Sequence, residues 1–414
     1  MMLTGGFLLG LALHSIWFTP PPPGVPADSI VFHRPHLSLG VEVRVLPVGT
    51  AQDPVGKEGT AWITSELLRG DVSAALTQLP HRLEVAATPW YTLLVIQTAP
   101  ESLATASRLV DRILSGPPPT QFQLDLMKER IIGQLDFQEG SPVEAFRREV
   151  DRLLLGSGHP GARPAHGTVH SLPTIDLEDV EALWREAKAP LIPVFRLLPS
   201  STSGSKAAME GTPAPGPILA PGQGSAVAQG FGWVNALGET PRPLWTEADR
   251  LRIIRPITNG WVTVAYPLPD ELPPGGAETL AGVLREQLTP SPPDPTLFRL
   301  DAELRDTPRG RALLLTATVA PDGVDRWEGR ILEAVEKLAE GGVPEAFLHS
   351  LLRRQRARSL LDETPAAWLT ARALEALRTG TLQGGSIHPE AHHVREWARA
   401  LGPPRILVYG PDLE

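Results

Sequence analysis

The sequence predicts an α+β protein made of two similar lobes, each a two-layer α/β sandwich. Three observations support this prediction: an internal repeat, a Pro/Gly/Ser-rich stretch between its two copies, and a length of 414 residues, which suits two domains better than one core. We expect an apolar leader and proline-rich spacer at residues 1–30, a first lobe at 31–198, a flexible linker at 199–243 and a second lobe at 244–414. The space between the lobes is the expected working surface.

The two copies of the repeat share one order of elements. A strand is followed by an apolar helix, a second strand, three helices, a fourth helix and a closing strand, as the spacing of the apolar residues indicates. The strands and the apolar helix are predicted at 41–45, 59–68, 84–97 and 191–198 in the first copy and at 261–266, 277–288, 311–319 and 405–409 in the second. Strands covered by helices on one face give the two-layer sandwich.

Prolines at helix starts support the same pairing of the two copies. Pro119 and Pro344 are predicted to begin corresponding helices, and Pro142 and Pro365 to begin the next ones. The two pairs lie 225 and 223 residues apart. A nearly constant separation over this distance indicates a duplication.

Composition excludes several classes of function. The net charge is −9, from 38 basic and 47 acidic side chains, which argues against nucleic acid as the main partner, because phosphate binding needs a surplus of Lys and Arg. Cysteine is absent, so disulfides and cysteine-based zinc, iron–sulfur or thiol chemistry are excluded.

The N-terminus carries a short apolar stretch, residues 7–18, that runs into four prolines. This stretch is shorter than the roughly 20 residues that span a bilayer. No Lys or Arg precedes it, although an export signal usually begins with basic residues. Export, membrane attachment through the N-terminus and a disordered or docked leader are the alternatives. The apolar stretch slightly favours a periplasmic or membrane-associated location over a cytoplasmic one.

Two motifs in the first lobe carry a family resemblance. The first reads DPVGKEGTA at residues 53–61 and continues with ELLRG at 66–70; the second reads GHPGARPAHGT at 158–168 and precedes a predicted helix at 176–187. Together they resemble motifs of the pitrilysin/insulinase-like zinc metallopeptidases, the inverted-motif zincins. The order of the later elements resembles that family over residues 31–414.

The resemblance implies a fold and an activity. The implied fold is the tandem pair of α/β lobes of insulinases and mitochondrial processing peptidases, already predicted from the repeat. The implied activity is zinc-dependent cleavage of peptides in a chamber between the lobes. In this family the first-lobe helix supplies two His ligands and a Glu that activates water.

The positions that would carry this chemistry hold other side chains. In the family's register, the two His ligands fall on Trp62 and Glu66, and the general-base Glu falls on Ser65. The family's distal pair of glutamates falls on Gly133 and Gln134. The sequence contains neither His-x-x-Glu-His nor His-Glu-x-x-His. We therefore expect no metal, no other cofactor and no zinc catalysis.

The second lobe also departs from the family. Arg305 resembles the family's substrate-holding Arg, a weak match, whereas the Tyr position reads Leu313. Among other polar residues, His166 and His170 are interpreted as solvated loop histidines and His392 with its neighbour as surface residues. The basic run at 353–358 is interpreted as a solvated helix face, with an acidic partner surface or a peptide carboxylate as the alternative.

These observations predict a non-catalytic subunit. We expect it to pair with an active insulinase-like peptidase chain, or with a second copy of itself, and to bind peptide along exposed strand edges. The alternative is a structural subunit of a membrane-associated complex. A hydrolase with unrecognised chemistry is the least favoured interpretation.

Overall fold

A computed structural model describes residues 29–34, 37–139, 141–187, 194–199, 245, 247–269, 272–273, 275–307, 310–362, 364–379 and 389–412. Nearly all of the predicted leader and of the predicted linker lies outside these residues, although the strand Ser29–Arg34 begins inside the predicted leader. Within them the chain forms two five-stranded mixed sheets with helices packed on them, which confirms the predicted two-lobe α+β fold.

The first lobe follows the predicted order with two additional strands. Its strands are β1 (Ser29–Arg34), β2 (Gly40–Leu46), β3 (His81–Ala87), β4 (Thr92–Thr98) and β5 (Val194–Pro199). Its helices are α1 (Thr60–Ala75), α2 (Leu103–Ser115), α3 (Gln121–Glu139), α4 (Pro142–Leu155) and α5 (Leu177–Ala187). The strands lie in the order β1-β5-β2-β4-β3, with β1 parallel to β5 and the other neighbours antiparallel.

The second lobe repeats this topology. Its strands are β6 (Asp249–Ile254), β7 (Gly260–Pro267), β8 (Leu297–Thr307), β9 (Gly310–Val319) and β10 (Arg405–Gly410). Its helices are α6 (Gly276–Leu288), α7 (Val324–Gly341), α8 (Glu345–Asp362), α9 (Pro365–Thr379) and α10 (Ala391–Arg399). The order β6-β10-β7-β9-β8 matches the first sheet strand for strand, and β6 is likewise parallel to β10. The duplication is therefore present in the fold.

Several predicted elements change in the structure. The single strand predicted at 84–97 is a hairpin of β3 and β4, and the strands β1, β6 and β8 were not predicted. Helix α1 continues to Ala75, past the predicted end at residue 68. The third helices, α3 and α8, begin 224 residues apart and place Leu124 and Leu348 at the same buried position. The pairing of Pro119 with Pro344 is therefore one residue out of register.

The two lobes exchange a helix. Phe146, Val150 and Leu153 of α4 pack on the second-lobe sheet, while Trp368 and Leu369 of α9 pack on the first-lobe sheet. Each sheet is thus covered on one face by helices of its own lobe and on the other by a helix of the opposite lobe. At these two helices, the space between the lobes, which we expected to be the working surface, is a packed apolar interface.

Strand β2 is buried on both faces. Its Val41 and Val43 face α9, whereas Glu42 and Arg44 face α2. Glu42 is fully buried and accepts hydrogen bonds from the Nε atoms of Arg44 (2.7 Å) and Arg196 (2.8 Å). Because the buried carboxylate has two cationic donors, its desolvation is offset. The alternation that predicted the strand thus separates an apolar face from an ion-paired one.

No helix in the described part of the chain is both long and apolar enough to cross a membrane.

Candidate functional site

The candidate site lies where the first turns of α1 meet the loop before it. Asp53 is buried and caps this helix: its Oδ2 accepts from the Gly59 N–H and its Oδ1 from the Ala61 N–H, both at 2.7 Å. These N–H groups have no partner within the helix, so the carboxylate satisfies them. Burial raises the pKa of Asp53 to about 7, although both backbone bonds act in the opposite direction.

The two motifs of the sequence meet at this loop. Arg163 Nη1 donates to the Asp53 carbonyl oxygen at 2.9 Å. Ser171 Oγ donates to the Glu58 carbonyl oxygen at 2.8 Å, and Thr174 Oγ1 donates to that of Gly56 at 2.9 Å. The second motif and the residues after it therefore bind the backbone of the first and fix the start of α1.

Gly59 is required by the close approach of the two loops. It precedes α1 with φ of +100°, a conformation that side chains with a Cβ rarely adopt. A Cβ there would lie 2.8 Å from Leu172 Cδ2 and 2.9 Å from the His166 carbonyl oxygen. Gly59 thus allows the two loops to pack closely together.

Trp62 occupies the first predicted metal-ligand position and packs against the second motif. Its ring lies 4.1 Å from the ring of His166, centroid to centroid, with an interplanar angle of 65°. Burial lowers the pKa of His166, while the carboxylates of Glu144 and Glu66 act to raise it. His166 is therefore a half-buried, neutral partner of Trp62, not the solvated loop histidine that we predicted; His170 is exposed as predicted.

The other predicted positions on α1 are occupied by side chains bonded to their own helix. Ser65 Oγ donates to the Trp62 carbonyl oxygen at 2.8 Å. Glu66 forms an ion pair with Arg69, whose Nε lies 3.2 Å from Glu66 Oε1. The Ser65 hydroxyl and the Glu66 carboxylate therefore both bond to groups of α1 itself.

Gly133 and Gln134 lie on α3 and are exposed. A Cβ added at Gly133 would meet no atom within 4 Å. The structure therefore places these two residues at a surface, and their equivalence to the family's glutamate pair stays a prediction.

The residues present do not fit a zinc ion. Zinc in such a site needs imidazole or carboxylate donors that converge on one point. Trp62 offers no metal-binding atom, and Glu66 is already paired with Arg69. Among the described residues, no group of three or more His, Asp or Glu side chains could hold a metal.

Arg305 lies on β8 of the second lobe and is bound to carboxylates. Its Nη1 donates to Asp151 Oδ1 on α4 at 3.2 Å, and its Nη2 lies 3.1 Å from Glu303 Oε1. The nearby Leu313, at the predicted Tyr position, is fully buried in β9. A role for Arg305 in substrate binding stays a prediction.

Comparisons with known proteins extend these observations. No family model and no curated protein matches the chain. Among solved structures, an inactive M16 peptidase domain from Pseudomonas fluorescens superposes with a TM-score of 0.69 and 14% identity, covering 96% of this chain and 98% of that one. The chain has the M16 peptidase fold.

Two further structures show how widely this fold is used. Pitrilysin superposes with a TM-score of 0.61 and 12% identity over 92% of this chain but only 43% of its own, so the chain spans less than half of pitrilysin. A chain of complex III2 from Candida albicans superposes with a TM-score of 0.63 and 14% identity, covering 92% and 93% of the two chains. At these identities the comparisons establish the M16 fold alone.

Sequence reasoning missed the roles of three side chains, two at the start of α1 and one beside Arg305. Asp53 was recognised as a motif residue but not as the cap of α1, although an Asp shortly before a helix is a capping signal. The contact of His166 with Trp62 joins residues distant in sequence. Asp151 gave no signal, because one acid on an amphipathic helix resembles any solvated residue.

Proposed function

We propose that this protein is a non-catalytic M16-like subunit that pairs with an active, zinc-bearing partner and helps to bind peptide in a chamber shared with it. The observation that carries the proposal is the difference between two sets of motif residues. Asp53, Gly59 and Arg163 still make the bonds and close contacts that hold the loops together. The helical positions hold Trp62 and Glu66, which are committed to contacts within the protein.

The retained loop contacts support a role in binding. A chain that had lost only its chemistry could keep the surface around α1, whereas a chain that drifted freely would lose the loop contacts as well. The matched domain from Pseudomonas fluorescens, described as inactive, shares this fold over nearly its whole length. It therefore supports the absence of catalysis in this chain.

The free strand edges suggest where a peptide would bind. Within the described residues β3 pairs only with β4, and it lies against α1. Such an edge presents backbone donors and acceptors to which an extended peptide adds as a further strand. We infer that peptide binds along β3, the edge strand that lies against α1.

The partner can be identified by its intact His-x-x-Glu-His motif and tested directly. Mixing this protein with that chain should raise the rate of peptide hydrolysis well above that of the partner with an inert protein of similar size. Replacing the partner's general-base Glu should remove all activity from the mixture, because this protein supplies no catalytic group. Stoichiometric zinc in the purified protein, or turnover with the disabled partner, would refute the proposal.

A structural role in a membrane-associated complex is the second candidate. The likeness to a chain of complex III2 favours it, since that chain carries the same fold within a complex. Recovery of this protein in a stable membrane complex, together with no stimulation of the intact peptidase chain, would support this candidate over the first.

A further inference from the structure

Helix α4 joins the two lobes through apolar and polar contacts. Phe146 stacks on Trp261 of β7 with ring centroids 5.4 Å apart and contacts the Tyr409 ring of β10 edge-on at 5.9 Å. Near the end of the helix, Arg405 Nη1 donates to the Leu153 carbonyl oxygen at 2.7 Å. Helix α4 thus belongs to the first lobe in sequence but packs against the sheet of the second lobe.

Two carboxylates share one guanidinium at this interface. Arg305 reaches Asp151 through Nη1 at 3.2 Å and Glu303 through Nη2 at 3.1 Å. A single positive charge cannot neutralise both acids, so each carboxylate disfavours ionisation of the other. Asp151 lies between α4 and β8 but keeps 31% of its side-chain surface exposed, which gives protons access to it.

The charges around Asp151 determine the direction of its pKa shift. Burial raises the pKa of Asp151 to about 6, and Arg305 on β8 and Arg147 on α4 act against this increase. Glu303 on β8 and Glu144 on α4 raise the pKa further. If α4 left the second-lobe sheet, Asp151 would return to water, where the pKa of an Asp is about 3.9.

The sign of the pH dependence follows from linkage. The docked helix binds the Asp151 proton more tightly than a released helix would, so protonation must strengthen docking. This contribution is fully present below the pKa of the released form and is lost as pH rises through about 6. Above that pH Asp151 remains charged in its half-buried position, and Arg305 compensates for the charge.

We propose that Asp151 and Arg305 make the docking of α4 on the second lobe dependent on pH, with protonation tightening the contact and the guanidinium maintaining it at neutral pH. This pH dependence does not rest on the proposed function, since it concerns contacts within one chain.

Hydrogen exchange of the α4 amides in the full chain tests the proposal. After correction for intrinsic exchange rates, Arg305→Gln should lower protection near pH 8 by about tenfold, which corresponds to about one unit of Asp151 pKa. Near pH 5 the same variant should resemble the wild type. The double variant Arg305→Gln/Asp151→Asn should regain protection near pH 8, because no buried charge remains.

Arg299→Gln is the matched control. Arg299 lies on the same strand and pairs with Asp301 at 2.6 Å, but at a more exposed position and within one lobe. It should leave α4 protection unchanged at both pH values. An equal loss in Arg305→Gln near pH 5 and pH 8, or wild-type protection that increases with pH, would overturn the proposal.

Discussion

At the scale of single residues, the first lobe differs from a metal site because Trp62, at a predicted ligand position, packs against His166. The indole ring packs against the imidazole ring, and burial lowers the pKa of that imidazole, which favours its neutral form. Two carboxylates, Glu66 and Glu144, act on the same imidazole in the opposite direction. The charge of His166 is therefore set by a balance between desolvation and nearby acids.

Removal of the indole should shift that balance. In Trp62→Ala, water reaches His166 while Glu66 and Glu144 remain, so the pKa of His166 should increase from its lowered value. Titration of the imidazole signals by NMR measures the shift. Trp90→Ala is the matched control, since the Trp90 ring lies 5.7 Å from the ring of His159 in the same loop. It should leave the titration of His166 unchanged, and an unchanged pKa in Trp62→Ala would contradict this account.

At the scale of secondary structure, the start of α1 depends on how closely two loops approach. Gly59 and Gly56 both have positive φ, +100° and +80°, and both lie in the first motif. They differ in surroundings: a Cβ at Gly59 would collide with the second motif, whereas one at Gly56 would meet nothing within 4 Å. A comparison of substitutions at Gly56 and Gly59 therefore distinguishes the cost of backbone strain from the cost of lost packing between the loops.

Alanine at these glycines should destabilise the protein to different degrees. Gly56→Ala should reduce the free energy of unfolding by about 1–2 kcal/mol, the usual cost of left-handed backbone for a residue with a Cβ. Gly59→Ala should lose clearly more, because the loop that carries His166 must also move. Urea unfolding of the two variants measures the difference. Equal losses would show that the contact between the loops has little energetic weight.

Two of the three strands that sequence reasoning missed share a physical cause. Strands β6 and β8 lie at sheet edges and carry many charged residues, as in DRLRII for β6. Charges protect an edge from pairing with other chains, but they also erase the apolar alternation that identifies a strand. The strands 41–45 and 261–266 were predicted because their apolar residues alternate along the chain. These central strands were therefore predictable, whereas the charged edge strands β6 and β8 were not.

The one-residue error between α3 and α8 has a different origin. Pairing Pro119 with Pro344 also places Phe122 opposite Phe347, but Phe122 is 76% exposed and the buried positions are Leu124 and Leu348. Burial, which decides the register, is not visible in a single sequence when an aromatic residue lies at the surface. A register error of this kind affects the candidate positions on α1 less, because the motif at 53–61 fixes their alignment relative to Gly59.

At the scale of the whole molecule, the exchange of α4 and α9 could not be predicted. An amphipathic helix shows that one face is buried but not which sheet buries it. In the structure, Phe146 belongs to the apolar cluster of the second-lobe sheet and Trp368 to that of the first. The repeat therefore predicted two lobes, whereas the contacts make them mutually dependent.

This dependence can be tested by separating the lobes. If residues 29–199 and 245–412 are produced alone, each half should expose an apolar sheet face and an apolar helix, and should bind a hydrophobic dye. Mixed together, the halves should form a 1:1 complex with lower dye binding and a cooperative thermal transition, because each supplies the helix that the other lacks.

Phe146→Ala or Trp368→Ala should weaken that complex by about 3–5 kcal/mol, the usual loss for a buried aromatic side chain. Trp397→Ala, in α10 within the second lobe, is the matched control and should leave the association unchanged. Halves that fold as separate monomers with no affinity for each other would contradict the exchanged-helix interface.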